Sequence, residues 1–410
     1  MHKPSEQRRN IRRSILLGVI IGLGLGGIFA AGFFFRDVMD RVSPTLGISV
    51  TAEEDYRLLT EVQSLINRRY LRSQPDYTTR EYAAIRGMLQ TLNDPYTYFV
   101  DPPVAASESQ TLAGTYGGIG VQLQRSATGE LVLYPFAESP AANAGIENGD
   151  ILRTVNSVAV DLTAPMESID QMLRGEVRAG SGVEITVTKA SDGSEQTVFI
   201  EFAVINVPSV VWRVLQENAA IGYVQILRFT ARTPDELRQG MAELNEAGIR
   251  QLVLDMRNNG GGLLQESIAV ADEFMDGGVI VYERDNQSER TYEATAGGAA
   301  VDLPMLVLVN HLTASGAELV AGALQDSQRA QLIGETTYGK GTVQQIIQLS
   351  DNSSLHVTAA EWLTPNRQPL NDHGLQPNIV IAPDPNGRDL DLESAVQIFA
   401  SEAQPESSGI

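Results

Sequence analysis

Apolar and polar positions recur along the chain in several rhythms, and each predicts a different kind of element. Ser14 to Phe35 is an uninterrupted run of 22 uncharged, mostly apolar residues, which as a helix reaches roughly 33 Å, enough to cross a bilayer core. Behind it, Leu58, Leu59, Val62, Leu65 and Ile66 recur at helical spacing after Thr51 and Glu54, which can form a capping box. A second stripe at Tyr82, Ile85, Leu89 and Leu92 stops at Asn93-Asp94-Pro95, where proline disfavours a helical residue before it. From about 104 to 205 short β-type runs alternate with glycine turns: Gly120 to Gln124, Leu131 to Tyr134, Ile151 to Val155, Val183 to Thr188 and Thr197 to Phe202. One helix, about Pro165 to Arg174, is embedded in them.

From Ile221 onward strands and helices alternate, the signature of an α/β domain. Strand Gly222 to Leu227 precedes a helix that Thr233 can cap, with Pro234 at its first position and Glu236 completing a capping box. Strand Gln251 to Met256 runs through Arg257-Asn258-Asn259-Gly260-Gly261-Gly262 into a helix at Leu263 to Met275. Strand Met305 to Val309 leads into a helix from Ser315, Leu332-Ile333 enters Gly334 to Gly341, and two further strands follow. The chain thus reads as an α/β multidomain protein: a basic tail (1–13), a transmembrane helix (14–35), a linker and helical unit suited to packing or a homodimer contact (36–103), a β-rich domain (104–205), an α/β core (206–385) and a C-terminal helix and tail (386–410).

Lys3, Arg8, Arg9, Arg12 and Arg13 flank the apolar run on one side only, so the expected location is the cell membrane, single-pass, with the body on the extracytoplasmic side. A cleaved signal peptide competes with this reading, but its apolar region would span about 7 to 15 residues with a small-residue exit. This run is longer and ends in Phe33-Phe34-Phe35.

Composition narrows the function. A net charge of -21 with no basic stripe beyond the first thirteen residues disfavours nucleic acid as a partner. The absence of cysteine excludes disulfides, thiolate metal sites and cysteine nucleophiles. No cofactor or metal is expected.

The candidate chemistry lies in polar or glycine-rich turns after buried-type strands, where α/β folds place their sites. Gly334 to Lys340 nearly matches a phosphate-binding loop, but Gly341 and a β-type run stand where Ser or Thr and a helix are required. Ser315 opens a helix, a position usual for a simple cap. As a nucleophile it needs a base. His311 lies in a turn four residues before the serine, and His356 and His373 lie in segments without an evident orienting acid, so a Ser-His-Asp triad stays open without support. Lys340, between Gly339 and Gly341, becomes a base if burial lowers its pKa from about 10.4 toward 7 or 8.

Two resemblances bear on this choice. Tyr116-Gly117-Gly118-Ile119-Gly120, Ser139-Pro140-Ala141 and Gly149-Asp150-Ile151-Leu152 before Val155-Asn156 together resemble a PDZ domain. Gly117, Gly118, Ile119 and Gly120 are then the candidates for binding a peptide's terminal carboxylate. Leu254 to Gly262, Val309-Asn310 with Thr313-Ala314-Ser315 and Glu318, Ala321 to Asp326, Gly339-Lys340-Gly341-Thr342-Val343-Gln344, Thr364-Pro365, Gly374 to Pro377 and Asp94-Pro95-Tyr96 resemble the C-terminal processing peptidases, also called tail-specific proteases. That resemblance implies a crotonase-like peptidase core, a membrane-anchored serine endopeptidase, and protein substrates with accessible, apolar C-termini. It makes Ser315 the nucleophile, Lys340 the base and Gln344 the group that orients the lysine, with Glu318 and Asp326 in support. Gly261, Gly262 and Gly316 are candidate backbone donors of an oxyanion hole, and which of them donates stays open. Gly260 stands where the family usually has proline. The alternatives are a PDZ adaptor that keeps the peptidase fold as a scaffold, and an acyl-thioester enzyme on a similar core.

Overall fold

The computed structural model describes residues 56–402 apart from 127. The expected membrane span at 14–35, the basic tail and the cap at Thr51 and Glu54 lie outside the described residues. The cell-membrane placement is corrected: among the described residues no helix is long and apolar enough to cross a membrane. The longest of these helices, Tyr77–Gln90 and Thr233–Glu246, have 14 residues, about 21 Å against a bilayer core of about 30 Å.

By packing, the chain divides into two units, Met1–Arg80 and Glu81–Ile410. In the first, helix Arg57–Arg69 carries the stripe read from the sequence, and Leu58, Leu59, Val62, Leu65 and Ile66 all lie exposed on it. Helix Tyr77–Gln90 runs across the division. Asp76 accepts the Thr79 N–H at 2.7 Å at its start, and Asn93, at φ 52°, turns the chain before Asp94-Pro95.

In the second unit a β-rich module is closed by strands Thr115–Gly118 and Ala203–Asn206, which pair antiparallel. Between them lies a six-stranded antiparallel sheet that includes Val121–Arg125, Leu131–Pro135, Ile151–Val155, Gly182–Thr188 and Glu195–Glu201. Strict alternation along Gly182–Thr188 sends Val183, Ile185 and Val187 into the core with Leu131, Leu133 and Leu152. Helix Met166–Met172 faces that core with Ile169.

The α/β core is a second six-stranded sheet, ordered Val210–Val214, Ile221–Ile226, Gln251–Asp255, Met305–Val309, Gln331–Gly334, Ile379–Val380. Only its first pair is antiparallel. Helices Thr233–Glu246, Leu264–Asp272 and Gly316–Asp326 cover one face, and Leu390–Glu402 covers the other. This explains the unbroken apolar runs: Leu252 and Leu254 meet the first layer while Val253 meets the C-terminal helix, so no position is left for a polar residue. A separate antiparallel sheet joins Tyr98–Val100, Val279–Arg284, Glu289–Glu293 and Thr342–Gln348 to the long strand Ser354–Leu363.

Candidate active site

Three turns at the carboxyl ends of the parallel strands converge. After Met305–Val309, Asn310 and Thr313 lock a turn: the Asn310 N–H donates to Thr313 Oγ1, whose own hydrogen goes to the Met256 carbonyl, both at 2.9 Å. Ser315 follows at φ 56° and ψ -120°, a conformation that costs a non-glycine residue about 1–3 kcal/mol and persists only where its surroundings impose it.

The second turn, after Gln251–Asp255, brings glycine backbone against that serine. Buried Asn259 donates to the Ile226 carbonyl and accepts the Gly261 N–H, each at 2.9 Å. A Cβ on Gly261 would lie 2.8 Å from Ser315 Cβ and 2.9 Å from the Gly316 nitrogen, and one on Gly262 would lie 2.0 Å from the Phe229 carbonyl oxygen. Only glycine permits this approach. In this arrangement the Gly261 N–H is given to Asn259, whereas Gly262 and Gly316 have no such bond from their N–H groups among the described residues. Behind the turn, Arg257 binds Asp255, Asp389 and Asp391 at 2.6, 2.6 and 3.1 Å, fastening it to the start of the C-terminal helix.

The third turn carries Lys340. Glu318, fully buried on the helix after the nucleophile, accepts four bonds: from the Ser315 N–H (2.9 Å), Thr337 Oγ1 (2.5 Å), the Gly339 N–H (2.7 Å) and the Lys340 N–H (2.9 Å). One carboxylate therefore ties the backbone of the candidate nucleophile to the backbone of the candidate base. The Lys340 amine is paired with no carboxylate among the described residues and lies 5.2 Å from the centroid of the Tyr96 ring. Burial pushes its pKa below the ordinary lysine value.

Ser315, Lys340, Gln344, Gly261 and Gly262 line one cleft of about 850 Å³. Gln344 does not contact the lysine: its Nε2 reaches Thr342 Oγ1 at 3.4 Å, so the expected orienting bond is absent from this arrangement. Asp326 is not brought to the cleft. Its carboxylate accepts the Asn366 N–H at 2.9 Å at the far end of the helix. His311 is exposed and paired with Glu335 at 2.9 Å. His356, which the sequence left without an acid, lines the same cleft and lies 3.2 Å from Glu108, against the Tyr98 ring. No group of three or more His, Asp or Glu among the described residues could hold a metal ion.

In the β-rich module Gly117 and Gly118 pair with Val204 and Ala203, and a Cβ on Gly117 would lie 2.1 Å from the Gly175 carbonyl oxygen. Gly120 turns at φ 75°. The Ile119 N–H donates to the Leu173 carbonyl at 3.3 Å. A groove of about 540 Å³ runs beside this loop between strand Val121–Arg125 and helix Met166–Met172, lined by Tyr116, Leu123 and Phe136 among others.

Comparison with known proteins agrees with this geometry. Residues 220–381 match the model of peptidase family S41. The chloroplastic C-terminal processing peptidase of Tetradesmus obliquus is 33% identical over 357 residues, spanning 83% of this chain and 76% of that protein. The carboxyl-terminal-processing protease of a Picosynechococcus species is 31% identical over 348 residues, spanning 82% and 83%. A solved S41 protease from Bacteroides fragilis, 17% identical, aligns over 84% of this chain and 97% of its own with a TM-score of 0.50, a likeness of fold. With identity near one third sustained over most of both chains, this protein belongs to peptidase family S41, the C-terminal processing serine peptidases.

Proposed function

We propose that the chain cleaves protein substrates with a Ser315–Lys340 dyad, and that residues 104–205 act as a PDZ domain presenting a substrate's free C-terminus to a peptidase core at 206–385. The observation that carries the dyad is the buried Glu318 carboxylate bonded to the backbone of both residues, with Lys340's amine unpaired and its pKa lowered in the cleft that Ser315 lines. Neutral Lys340 takes the Ser315 hydroxyl proton as Oγ bonds to the scissile carbonyl carbon. The carbonyl's π pair moves to oxygen, and the N–H groups of Gly262 and Gly316 are the candidate donors to it. Collapse expels the amine, which takes the proton from the Lys340 ammonium. Water then attacks the acyl carbon with the same lysine as base, and the bond from that carbon to Oγ breaks as Ser315 takes the proton back from the ammonium and the acid product leaves.

The apolar groove beside the loop from Gly117 to Gly120 supports the tail-reading role, since a peptide there would pair with strand Val121–Arg125 and place an apolar terminal side chain between strand and helix, and the Ile119 N–H would leave the Leu173 carbonyl to take the carboxylate. The test is cleavage of an unfolded protein ending in apolar residues. Lys340→Arg keeps a cation but offers no neutral amine, so activity should fall as far as in Ser315→Ala, by several orders of magnitude. Activity should rise with pH through the lowered lysine pKa. His356 is the competing base, because Glu108 could orient it. A His356→Gln enzyme that stays active while Lys340→Arg is dead supports the dyad, and the reverse result removes it. Amidating the substrate's terminal carboxylate should raise KM or lower kcat, and equal cleavage of both forms removes the tail-reading role alone.

A further inference from the structure

The contact made by Lys340's amine is with a residue far outside the matched peptidase region. Tyr96 lies between helix Tyr77–Gln90 and strand Tyr98–Val100, and its ring sits 5.2 Å from the lysine nitrogen, within cation–π range. Its place is fixed from several sides. Asp94 accepts the Tyr96 N–H at 3.0 Å and the Thr97 hydroxyl at 2.6 Å. Thr97 Oγ1 in turn accepts the Thr358 N–H at 3.0 Å, and Tyr98 pairs with His356 on the same long strand.

We propose that Tyr96 is a positioning residue for the base: its ring face holds the ammonium that forms when Lys340 takes the serine proton. This rests on the dyad reading. The charged groups around the lysine leave that task to the ring. Glu318 is bound to Lys340's own backbone N–H, Asp94 accepts the Tyr96 N–H, and Asp372 gives its N–H to the Gly339 carbonyl; among the described residues none of their carboxylates forms an ion pair with the amine. Across the cleft stand Arg228, Glu266 and the Glu108–His356 pair, none of them paired with the amine. Burial alone lowers the lysine pKa, and the quadrupole of the ring works against it, favouring the charged form.

The consequence is a specific pH signature. A ring that stabilises the ammonium raises the pKa of the free enzyme and lowers the energy of a transition state that contains the ammonium, both by the same contact. Weakening the ring should therefore move the rising limb of kcat/KM to lower pH and lower the high-pH plateau by the same factor. Below both limbs the two curves should converge. The experiment takes Tyr96→Phe as reference and places mono-, di- and trifluorinated phenylalanine at position 96 in the full chain, which drains the ring's negative face with little change of shape. Across the series the limb should fall by roughly 0.5 to 1 pH unit and the plateau by roughly 3- to 10-fold. A limb that stays fixed along the series while Lys340→Arg is inactive overturns this inference and leaves the dyad standing. Rising kcat along the series also overturns it, since the ring would then be holding the lysine away from Ser315. An active Lys340→Arg enzyme removes the dyad itself.

Discussion

Asp150 in the β-rich module and Glu318 in the peptidase core are both fully buried carboxylates, and the two are treated differently. Asp150 accepts the Glu147 and Ala190 N–H groups at 2.9 and 3.0 Å, and Lys189 Nζ at 2.6 Å. It staples two loops and has its counter-charge with it. Glu318 accepts four donors, and none is a cation. A buried charge without a counter-ion is costly, and is tolerated when hydrogen bonds satisfy it fully. The difference teaches what each carboxylate is for. A lysine side chain drawn to Glu318 would be held as an ammonium, useless as a base, whereas neutral backbone donors let the carboxylate fix the position of the Lys340 loop without charging its amine.

The sharpest way to break this comparison is Glu318→Gln. The amide can accept at one oxygen only, and its NH2 would face two N–H donors, so the Ser315 and Lys340 turns should drift apart. We expect kcat to fall about 10²-fold, the cost typical of misplacing a catalytic group by about an ångström, with KM changed far less. Steady-state kinetics on a folded variant checks it. A fall in stability with unchanged kcat would make Glu318 another Asp150, a staple and nothing more.

Much of this was legible in the residues. Leu252 to Leu254 and Met305 to Val309 read as buried strands because helices cover both faces of their sheet. The alternation of Val183, Ile185 and Val187 read as a half-buried strand for the opposite reason. What stayed hidden depends on distant partners. Glu289–Glu293 is mostly exposed and charged and gives no strand signal, and it is held by pairing with Val279–Arg284, which in turn pairs with Ser354–Leu363. Glu236 looked like half of a capping box, yet its carboxylate accepts the Ser209 and Val210 N–H groups on a neighbouring segment. Tyr96 beside Lys340 and Glu108 beside His356 join positions more than two hundred residues apart, and no periodicity reports such a meeting.

On the other side of the comparison, Asp150→Asn leaves the partly buried Lys189 with only the exposed Glu147 carboxylate, 3.4 Å away, as counter-charge. The variant should lose about 3 kcal/mol of stability, read by thermal or denaturant unfolding. At a temperature where both variants stay folded, it should lose far less activity than Glu318→Gln. Burial pushes the Asp150 carboxyl up, but Lys189 and the two backbone donors outweigh it and hold it below the usual carboxylate range. Its folded pKa is thus depressed, so its contribution is complete above the unfolded value near 3.9 and is lost as pH falls through the folded one. The wild type should therefore lose part of its stability advantage over Asp150→Asn in acid, below about pH 4.

The smallest expected effect is at Gln344, where the comparison is sharpened rather than broken. A bulge between Val343 and Gln344 shifts the register of Thr342–Gln348 against Ser354–Leu363, and bulges re-aim side chains next to active sites. The bulge brings Gln344 to the cleft wall, yet its amide reaches Thr342 and not Lys340. If Glu318 and Tyr96 already place the lysine from its two sides, Gln344 has little left to hold. Gln344→Ala should then lower kcat by no more than about 10-fold, roughly the loss of one neutral hydrogen bond. A loss approaching that of Lys340→Arg would mean that the amide swings onto the lysine when substrate is bound, and that the base is placed by three groups instead of two.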